Sequence, residues 1–281
     1  LIYEGGDRLF IPVVNIEVIS RYGSESAEVA LDRLGGSAWQ ARKAKMKQRL
    51  RDMAEELIKV AAARALKTVG KAAPAVVLFD EFCSRFPYTE TEDQRRAIDD
   101  VLADMGGGSP ADRLICGDVG FGKTEVALRA AFVIALEGRQ VAVVVPTTLL
   151  CRQHYQTFCQ RFADYPVRIE QLSRLVAGKK TKEVKAGLKD GTVDIVIGTH
   201  ALLSGAIRFR DLALLVIDEE QHFGVADKEK LKKLKADIHV MTLTATPIPR
   251  TLQLALAGVR EMSLIATPPV DRLAVRTFVL P

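Results

Sequence analysis

The most constraining feature of this chain is the segment over residues 117–124, which is Gly-Asp-Val-Gly-Phe-Gly-Lys-Thr. It fits the spacing G-x-x-x-x-G-K-[ST], in which a glycine-rich loop follows a strand and opens a helix. Its three glycines allow backbone N–H groups to turn inward around phosphate oxygens without Cβ clashes. The positive end of the following helix faces the same anion. The segment therefore predicts a site for the phosphates of a nucleotide.

The last two residues of this loop have separate predicted tasks. The positive charge of Lys123 is suited to neutralising the β- and γ-phosphates, and the hydroxyl of Thr124 is suited to binding Mg²⁺. ATP and Mg²⁺ are therefore the expected cofactors. The predicted cofactor-binding residues of this segment are Gly117, Asp118, Val119, Gly120, Phe121, Gly122, Lys123, Thr124 and Glu125.

Short apolar runs alternate with amphipathic helical patterns from Phe86 onward. Apolar runs of this length, separated by helices, are typical of a mostly parallel sheet that is buried on both faces. The predicted fold class is therefore α/β, with one domain over residues 86–281. The predicted strands are residues 114–116, 141–145, 167–172, 194–197, 212–217 and 240–243.

Asp218 and Glu219 directly follow the apolar run 212–217. An acidic pair at the C-terminal end of a parallel strand lies at the crevice where such sheets bind ligands. Asp218 is predicted to hold the magnesium ion through its water shell, and Glu219 to orient and deprotonate the attacking water. Together with Lys123 these acids form the predicted catalytic set.

Two shorter zones precede the α/β part. Residues 1–22 are β-rich, which predicts a hairpin or the end of a small barrel, too short to own a core. Residues 35–69 have a helical period, with a stripe made of Met46, Leu50, Met53, Leu57 and Val60. The run 42–51 is basic, either as a solvated helix face or as a contact for phosphates or an acidic surface. Residues 70–85 are predicted to be a linker.

Composition narrows the class of protein. Apolar residues make up 48% and charged residues 27% of the chain, which is typical of soluble globular proteins. No apolar stretch approaches the roughly 18 residues of a membrane span, so we expect no membrane partner. Four cysteines without C-x-x-C spacing predict reduced thiols and a cytoplasmic protein. The net charge of +5 is only a weak sign of a polyanionic partner.

Several loops resemble those of the superfamily 2 helicases. Residues 86–94, Phe-Pro-Tyr-Thr-Glu-Thr-Glu-Asp-Gln, are similar to the adenine-reading element, which implies that Phe86 stacks near the base and Gln94 bonds its edge. Loops after other strands resemble those that line the nucleic-acid groove or couple it to the ATP site. Hydroxyls and helix N-termini there can hold phosphates without reading sequence. The implied residues are Thr147, Thr148, Thr199, His200, Gln221, Thr244, Thr246 and Arg250.

The whole chain resembles the family of bacterial transcription-repair coupling factors, which are DNA translocases of that superfamily. The matching strings are residues 9–13, 19–22, 34–39, 117–125, 146–150, 167–170, 198–200, 218–225 and 244–251. The resemblance implies that residues 1–34 end an RNA-polymerase-interacting Tudor-like barrel and that residues 35–85 are a connector helix and linker. It implies that residues 86–281 form the first RecA-like ATPase domain. The chain opens at Leu1 in mid-pattern, which predicts a piece of a longer polypeptide.

This resemblance implies the ATP-binding half of a double-stranded-DNA translocase. Such a protein displaces stalled RNA polymerase and recruits excision-repair factors, although only the end of the polymerase-binding barrel is expected here. In this family a second RecA-like domain supplies an arginine finger, so we expect these residues to bind ATP and Mg²⁺ but to hydrolyse ATP slowly. Position 222 is His where the family usually has Arg.

Two alternatives remain open from the sequence. A RecG-type branch-migration helicase of forked DNA shares most of these motifs, but typically has Asp-Glu-Gln-His where this chain has Asp-Glu-Glu-Gln, and it has no such barrel upstream. A partner-docking module would use the basic helix and leave the nucleotide site unused. Nucleotide protection against thermal unfolding separates that module from an ATPase.

Overall fold

The computed structural model describes residues 8–10, 12, 40–41, 43–48, 51–52, 55, 62, 64, 66–174, 176–223, 237–245 and 260–270. The chain divides into two compact units, Leu1–Lys59 and Val60–Pro281. In the first unit the described residues from 40 to 55 are helical and exposed, including the lysines at 43, 45 and 47. Met46 of the predicted apolar stripe is 58% exposed. The rest of that stripe, and nearly all of the predicted hairpin, lie outside the described residues.

The second unit is built on one sheet, in which seven described strands are all parallel and lie in the order β3-β4-β2-β5-β6-β1-β7. The predicted mostly parallel α/β sheet is therefore confirmed. The strands are β1 (Asp112–Gly117), β2 (Gln140–Val144), β3 (Ile169–Leu172), β4 (Ile195–Gly198), β5 (Leu212–Asp218), β6 (His239–Thr244) and β7 (Glu261–Ile265).

Helices cover the sheet, and side chains alternate between its two faces. On β5, Leu214 and Val216 pack in one apolar cluster, while Leu215 and Ile217 pack in the other. Burial on both faces explains why these strands are continuous apolar runs in the sequence. The described α-helices of this unit are α1 (Val76–Ser84), α2 (Glu92–Gly106), α3 (Lys123–Leu136), α4 (Thr148–Arg161) and α5 (Gly178–Asp190).

Helix α1 corrects the predicted linker over residues 70–85. Its Phe82 is fully buried and stacks on Phe132 of α3 with ring centroids 4.2 Å apart. The helix lacks a strong sequence signature because its apolar residues Val76, Val77 and Leu78 are exposed. Packing of the second unit thus begins before residue 86, whereas the domain boundary at that position stays a prediction.

Strand β7 was not predicted from the sequence. It is an edge strand beside β1, and only Ser263 and Ile265 of its residues are buried. Its half-exposed, mixed sequence lacks the apolar run that marks the inner strands.

All four cysteines are free. Among the described residues, no helix has the length and apolar character needed to cross a membrane.

Candidate nucleotide-binding site

The loop between β1 and α3 has the backbone of a phosphate cradle. Gly120 and Gly122 have φ angles of 81° and 80°, in the left-handed region that favours glycine. A Cβ added to Gly117 would lie 2.9 Å from the carbonyl oxygen of Ile265 on β7. The tip, formed by Asp118, Val119 and Gly120, is exposed, and the following residues up to Thr124 are half-buried. The predicted loop conformation is therefore present at the end of a strand and the start of a helix.

Gln94 buttresses this loop from α2. Its side-chain Oε1 accepts a hydrogen bond from the Thr91 backbone N–H at 2.9 Å, and its Nε2 donates to the Phe121 carbonyl oxygen at 3.0 Å. A Cβ on Gly122 would lie 2.4 Å from the same Nε2. Both ends of the Gln94 amide thus hold protein groups, so these contacts give Gln94 a loop-positioning role. Its predicted bond to the adenine edge stays a prediction.

Lys123 folds back over the loop. Its Nζ donates to the carbonyl oxygens of Gly117 at 2.6 Å and Asp118 at 3.0 Å. Burial lowers the pKa of this lysine, and the negative charges of Glu219 and Asp218 oppose that shift. The ammonium group therefore interacts electrostatically with both acids, although nearly a hundred residues separate them from Lys123 along the chain.

The acids reach the loop because of strand order. β5 ends at Asp218, and one strand, β6, separates it from β1. Adjacent strands lie about 4.8 Å apart, which places the two strand ends within about 10 Å. Asp218 is in register with Leu243, and Thr244 is in register with Cys116, so the ends of β5, β6 and β1 form one edge.

Glu219 has a strained backbone. It is the sole non-glycine residue with positive φ in the described part of the chain, at φ 52° and ψ 55°. Its N–H donates to the Leu243 carbonyl at 2.9 Å, and its Oε1 accepts from the Ala245 N–H at 3.1 Å. Such a conformation costs about 1–3 kcal/mol and persists where surrounding contacts enforce it. These contacts hold the carboxylate at the edge of the sheet.

A hydrogen-bonded chain links this glutamate to the end of β6. The Gln221 side-chain amide donates to the Glu219 Oε2, and the Thr244 hydroxyl lies 3.4 Å from the Gln221 Oε1. Thr244 is buried. The structure therefore brings three of the predicted catalytic and coupling residues together. Thr246 and Arg250 lie outside the described residues, and His222 is described only by its backbone.

His154 is a partner of Asp218 that the sequence did not reveal. The histidine lies on α4, is 7% exposed, and its Nε2 is 2.9 Å from the Asp218 Oδ2. The 64 residues between the two side chains leave no local spacing that could have indicated the contact.

Phe86 and Glu125 belong to a cluster of charged and aromatic groups. The guanidinium carbons of Arg129 and Arg161 each lie 5.9 Å from the Phe86 ring centroid. The buried Glu125 Oε1 accepts from Arg129 at 3.0 Å and from Arg161 at 2.8 Å. These contacts connect Glu125 to the segment around Phe86, so its predicted contact with the nucleotide stays a prediction.

The predicted nucleic-acid residues that the structure describes follow strands at the same C-terminal edge of the sheet. Thr147 caps α4 by accepting a hydrogen bond from the Leu150 N–H at 3.2 Å. Thr199 is buried and His200 is exposed, directly after β4. Thr148 lines a groove of about 330 Å³ between α4 and β3. The other residues that line it are Arg152, Tyr155, Gln156, Gln171 and Ser173.

Thr124 and Asp218 are oxygen donors of the kind that Mg²⁺ prefers. No group of three or more His, Cys, Asp or Glu side chains could hold a metal among the residues that the structure describes. Mg²⁺ is usually bound by one or two protein oxygens together with substrate phosphates and water. Thr124 and Asp218 offer such oxygens beside a phosphate cradle.

Comparison with known proteins agrees with this geometry. The transcription-repair-coupling factor of Rickettsia bellii is 53% identical over 285 aligned positions, which cover 100% of this chain and 25% of that protein. That of Bacillus subtilis is 52% identical over 279 positions, covering 99% of this chain and 24% of that protein. The chain thus spans about a quarter of the length of the curated relatives that it matches.

A solved structure of RecG bound to a three-way DNA junction matches with a TM-score of 0.66 and 31% identity, over 79% of this chain and 31% of that chain. The match confirms the predicted RecA-like helicase fold. The family model of the DEAD/DEAH box helicases matches residues 91–255, which is more than half of the chain. By this match the chain belongs to the DEAD/DEAH box helicase family.

Proposed function

We propose that this chain is the ATP-binding part of a motor that moves along double-stranded DNA. The observation that carries the proposal is the convergence of Lys123, Asp218 and Glu219 beside the loop 117–124 at one edge of a parallel sheet. Membership of the DEAD/DEAH box helicases implies ATP binding. Lys123 would neutralise the β- and γ-phosphates, and the backbone N–H groups around the left-handed glycines would surround them.

Thr124 and Asp218 would hold the magnesium ion. When bound, this ion neutralises charge that develops on the transferred phosphoryl group. Asp218 is a carboxylate at a strand end and Thr124 is a hydroxyl at a helix N-terminus, so both are hard oxygen ligands of the kind Mg²⁺ prefers.

Glu219 would orient the attacking water and accept its proton. The Ala245 N–H and the Gln221 side-chain amide each engage one of its carboxylate oxygens. This arrangement fixes the carboxylate without burying it fully. The hydrogen bonds from Thr244 to Gln221 and from Gln221 to Glu219 would also couple a movement of the loop after β6 to the position of the Glu219 carboxylate.

The relatives support a proposal for the DNA substrate and the cellular role. Identities of 53% and 52% to transcription-repair-coupling factors, against 31% to RecG, favour the former over a branch-migration helicase. We therefore infer a cytoplasmic protein that displaces stalled RNA polymerase and works with excision-repair factors. The loops that contain Thr147, Thr199 and His200 would contact DNA phosphates, because they share one edge of the sheet.

The proposed domains are 1–34 for the end of a polymerase-interacting barrel, 35–85 for a connector and 86–281 for the first RecA-like domain. In coupling factors a second RecA-like domain supplies an arginine finger. Such a finger is worth about 10³–10⁵ in rate. We therefore expect the residues of this chain to bind ATP and Mg²⁺, and hydrolysis to be slow and little stimulated by DNA wherever such a finger is not supplied.

The test combines nucleotide binding with turnover. The 281-residue chain should bind a fluorescent ATP analogue in the presence of Mg²⁺ and unfold at a higher temperature when ATP is added. Lys123→Ala should lose both effects. Absence of any ATP protection in the parent chain would refute the proposal and favour a partner-docking module that uses the basic helix.

A second experiment addresses the cellular role. In a full-length protein that contains this chain, Lys123→Ala should abolish ATP-driven displacement of stalled RNA polymerase from DNA. Displacement that survives this substitution contradicts the role of Lys123. Fork regression without polymerase displacement by the unsubstituted protein would instead identify a RecG-type helicase.

A further inference from the structure

Helix α4 places a histidine directly against the acid at the end of β5. Strand β2 pairs with β5, and Val144 lies opposite Ile217. Helix α4 directly follows β2, so it passes the C-terminal end of β5. The His154 Nε2 therefore lies 2.9 Å from the Asp218 Oδ2. Both side chains are shielded from solvent, with relative exposures of 8% and 13%. Asp218 is one of the acids that the sequence identified, whereas His154 belongs to none of the predicted loops.

The chemistry of the two side chains decides which of them donates the hydrogen bond. An ionised carboxylate can only accept hydrogen bonds, so the His154 Nε2–H donates a hydrogen bond to the Asp218 Oδ2. The opposite ring nitrogen, Nδ1, is buried and has no hydrogen-bond partner among the described residues. A leucine or phenylalanine would fill the same space beside Phe158 without burying an unpaired polar atom. Packing alone therefore gives no reason for a histidine at this position, whereas the bond to Asp218 does.

We propose that His154 is a positioning residue for Asp218, which fixes the orientation of the carboxylate that would hold magnesium. Carboxylates that bind metal ions are commonly hydrogen-bonded by a neighbouring group, and loss of that group weakens metal affinity. His154 would engage one carboxylate oxygen and so restrict rotation of the Asp218 side chain. This inference rests on the proposed ATP site, because it assigns a role to a neighbour of its metal-binding acid.

The proposal predicts an effect on magnesium that is separate from the effect on the nucleotide. Lys123 and the loop 117–124 would contact the phosphates without involving His154, so nucleotide affinity in EDTA should not change when the His154 side chain is replaced. The gain in affinity on adding Mg²⁺ should fall by about tenfold, the lower end of the loss expected for such a neighbour. A purely structural role would instead lower both affinities together with thermal stability.

The experiment uses a fluorescent ADP analogue and the 281-residue chain. Affinities are measured in EDTA and in Mg²⁺, and Mn²⁺ binding in the presence of ADP is followed by electron paramagnetic resonance. His154→Leu removes the donor. His154→Gln places an amide N–H at a reach similar to Nε2, whereas His154→Asn is shorter. Gln153→Ala, an exposed neighbour on α4, is the matched control.

We expect His154→Leu and His154→Asn to lose most of the Mg²⁺-dependent gain and to bind Mn²⁺ more weakly, while His154→Gln and Gln153→Ala retain it. Comparison of the two amides keeps the test valid if the leucine variant fails to fold. Equal Mg²⁺-dependent gains in the Gln and Asn variants, matching the parent chain, would overturn the role of His154 and leave the ATP site intact. A parent chain that binds no nucleotide would overturn the proposed function itself, and this inference with it.

Discussion

Phe82 on α1 provides a sharp test of where the core of the second unit begins. Its side chain is fully buried, and its ring stacks on Phe132 with centroids 4.2 Å apart. It also contacts the rings of Phe162 and Tyr165, at 5.2 Å and 5.8 Å between centroids. The guanidinium carbon of Arg161 lies 4.3 Å from its centroid. Phe82→Ala should therefore open a cavity at the centre of an aromatic cluster.

The magnitude follows from this burial. Truncation of a buried phenylalanine to alanine costs about 3–5 kcal/mol, through lost transfer free energy and the remaining cavity. Because four neighbouring side chains surround the ring, we expect a value near the middle, about 4 kcal/mol. In a unit of this size each kcal/mol lowers the melting temperature by about 2–4 °C, so the expected fall is about 8–16 °C.

The assay is thermal and urea unfolding of the 281-residue chain, followed by far-ultraviolet circular dichroism. Val77→Ala is the matched control, since it truncates an apolar residue of the same helix that is 80% exposed. The control should change the free energy of unfolding by less than about 0.5 kcal/mol. Similar, small effects of both substitutions would refute the packing of α1 and restore the predicted linker.

Three further outcomes are expected from the site and the sheet. Gly122→Ala should weaken nucleotide binding because its Cβ would meet the Gln94 Nε2 at 2.4 Å, whereas Gly138→Ala, with a similar φ and no atom within 4 Å, should lower stability only. Burial lowers the pKa of His239 to about 4, against an ordinary 6.5 in the unfolded chain. The unfolded state therefore takes up this proton first as pH falls, and stability should drop by up to about 3 kcal/mol between pH 6.5 and 4, a drop that His239→Asn removes in urea titrations. In a full-length protein that contains this chain, Glu219→Gln should retain nucleotide affinity but slow single-turnover hydrolysis by about 10²–10⁴-fold, and unchanged hydrolysis would exclude it as the base.

Much of the fold could be predicted because the inner strands are buried on both faces. Predicted strand 212–217 became β5 with one added residue, and 240–243 became β6 with one added residue at each end. The edge strand β7 and helix α1 escaped prediction because most of their side chains are exposed or mixed in character. A pattern of apolar residues indicates which side chains are buried. It therefore does not identify a helix or strand that buries only a few of its side chains.

The candidate site likewise contains features that the sequence could predict and contacts that it could not. The loop 117–124 could be predicted because its glycines and its lysine are held at fixed spacing by one turn between a strand and a helix. The bond from Gln94 to the Phe121 carbonyl could not, since it depends on how α2 packs against the loop before α3, whereas the Thr91–Gln94 contact that caps α2 is local. The pairing of Glu125 with Arg161 likewise joins α3 to α4.

The sequence by itself determined the phosphate loop, the parallel character of the sheet and the acids that follow β5, because each depends on residues that are neighbours in the chain. Only the tertiary structure decided that β5 lies between β2 and β6. That order brings Asp218 to Lys123 on one side and to His154 on the other. Strand order results from packing between distant segments, so no local pattern encodes it, and the surroundings of the acid that we propose to hold magnesium became visible only in the folded chain.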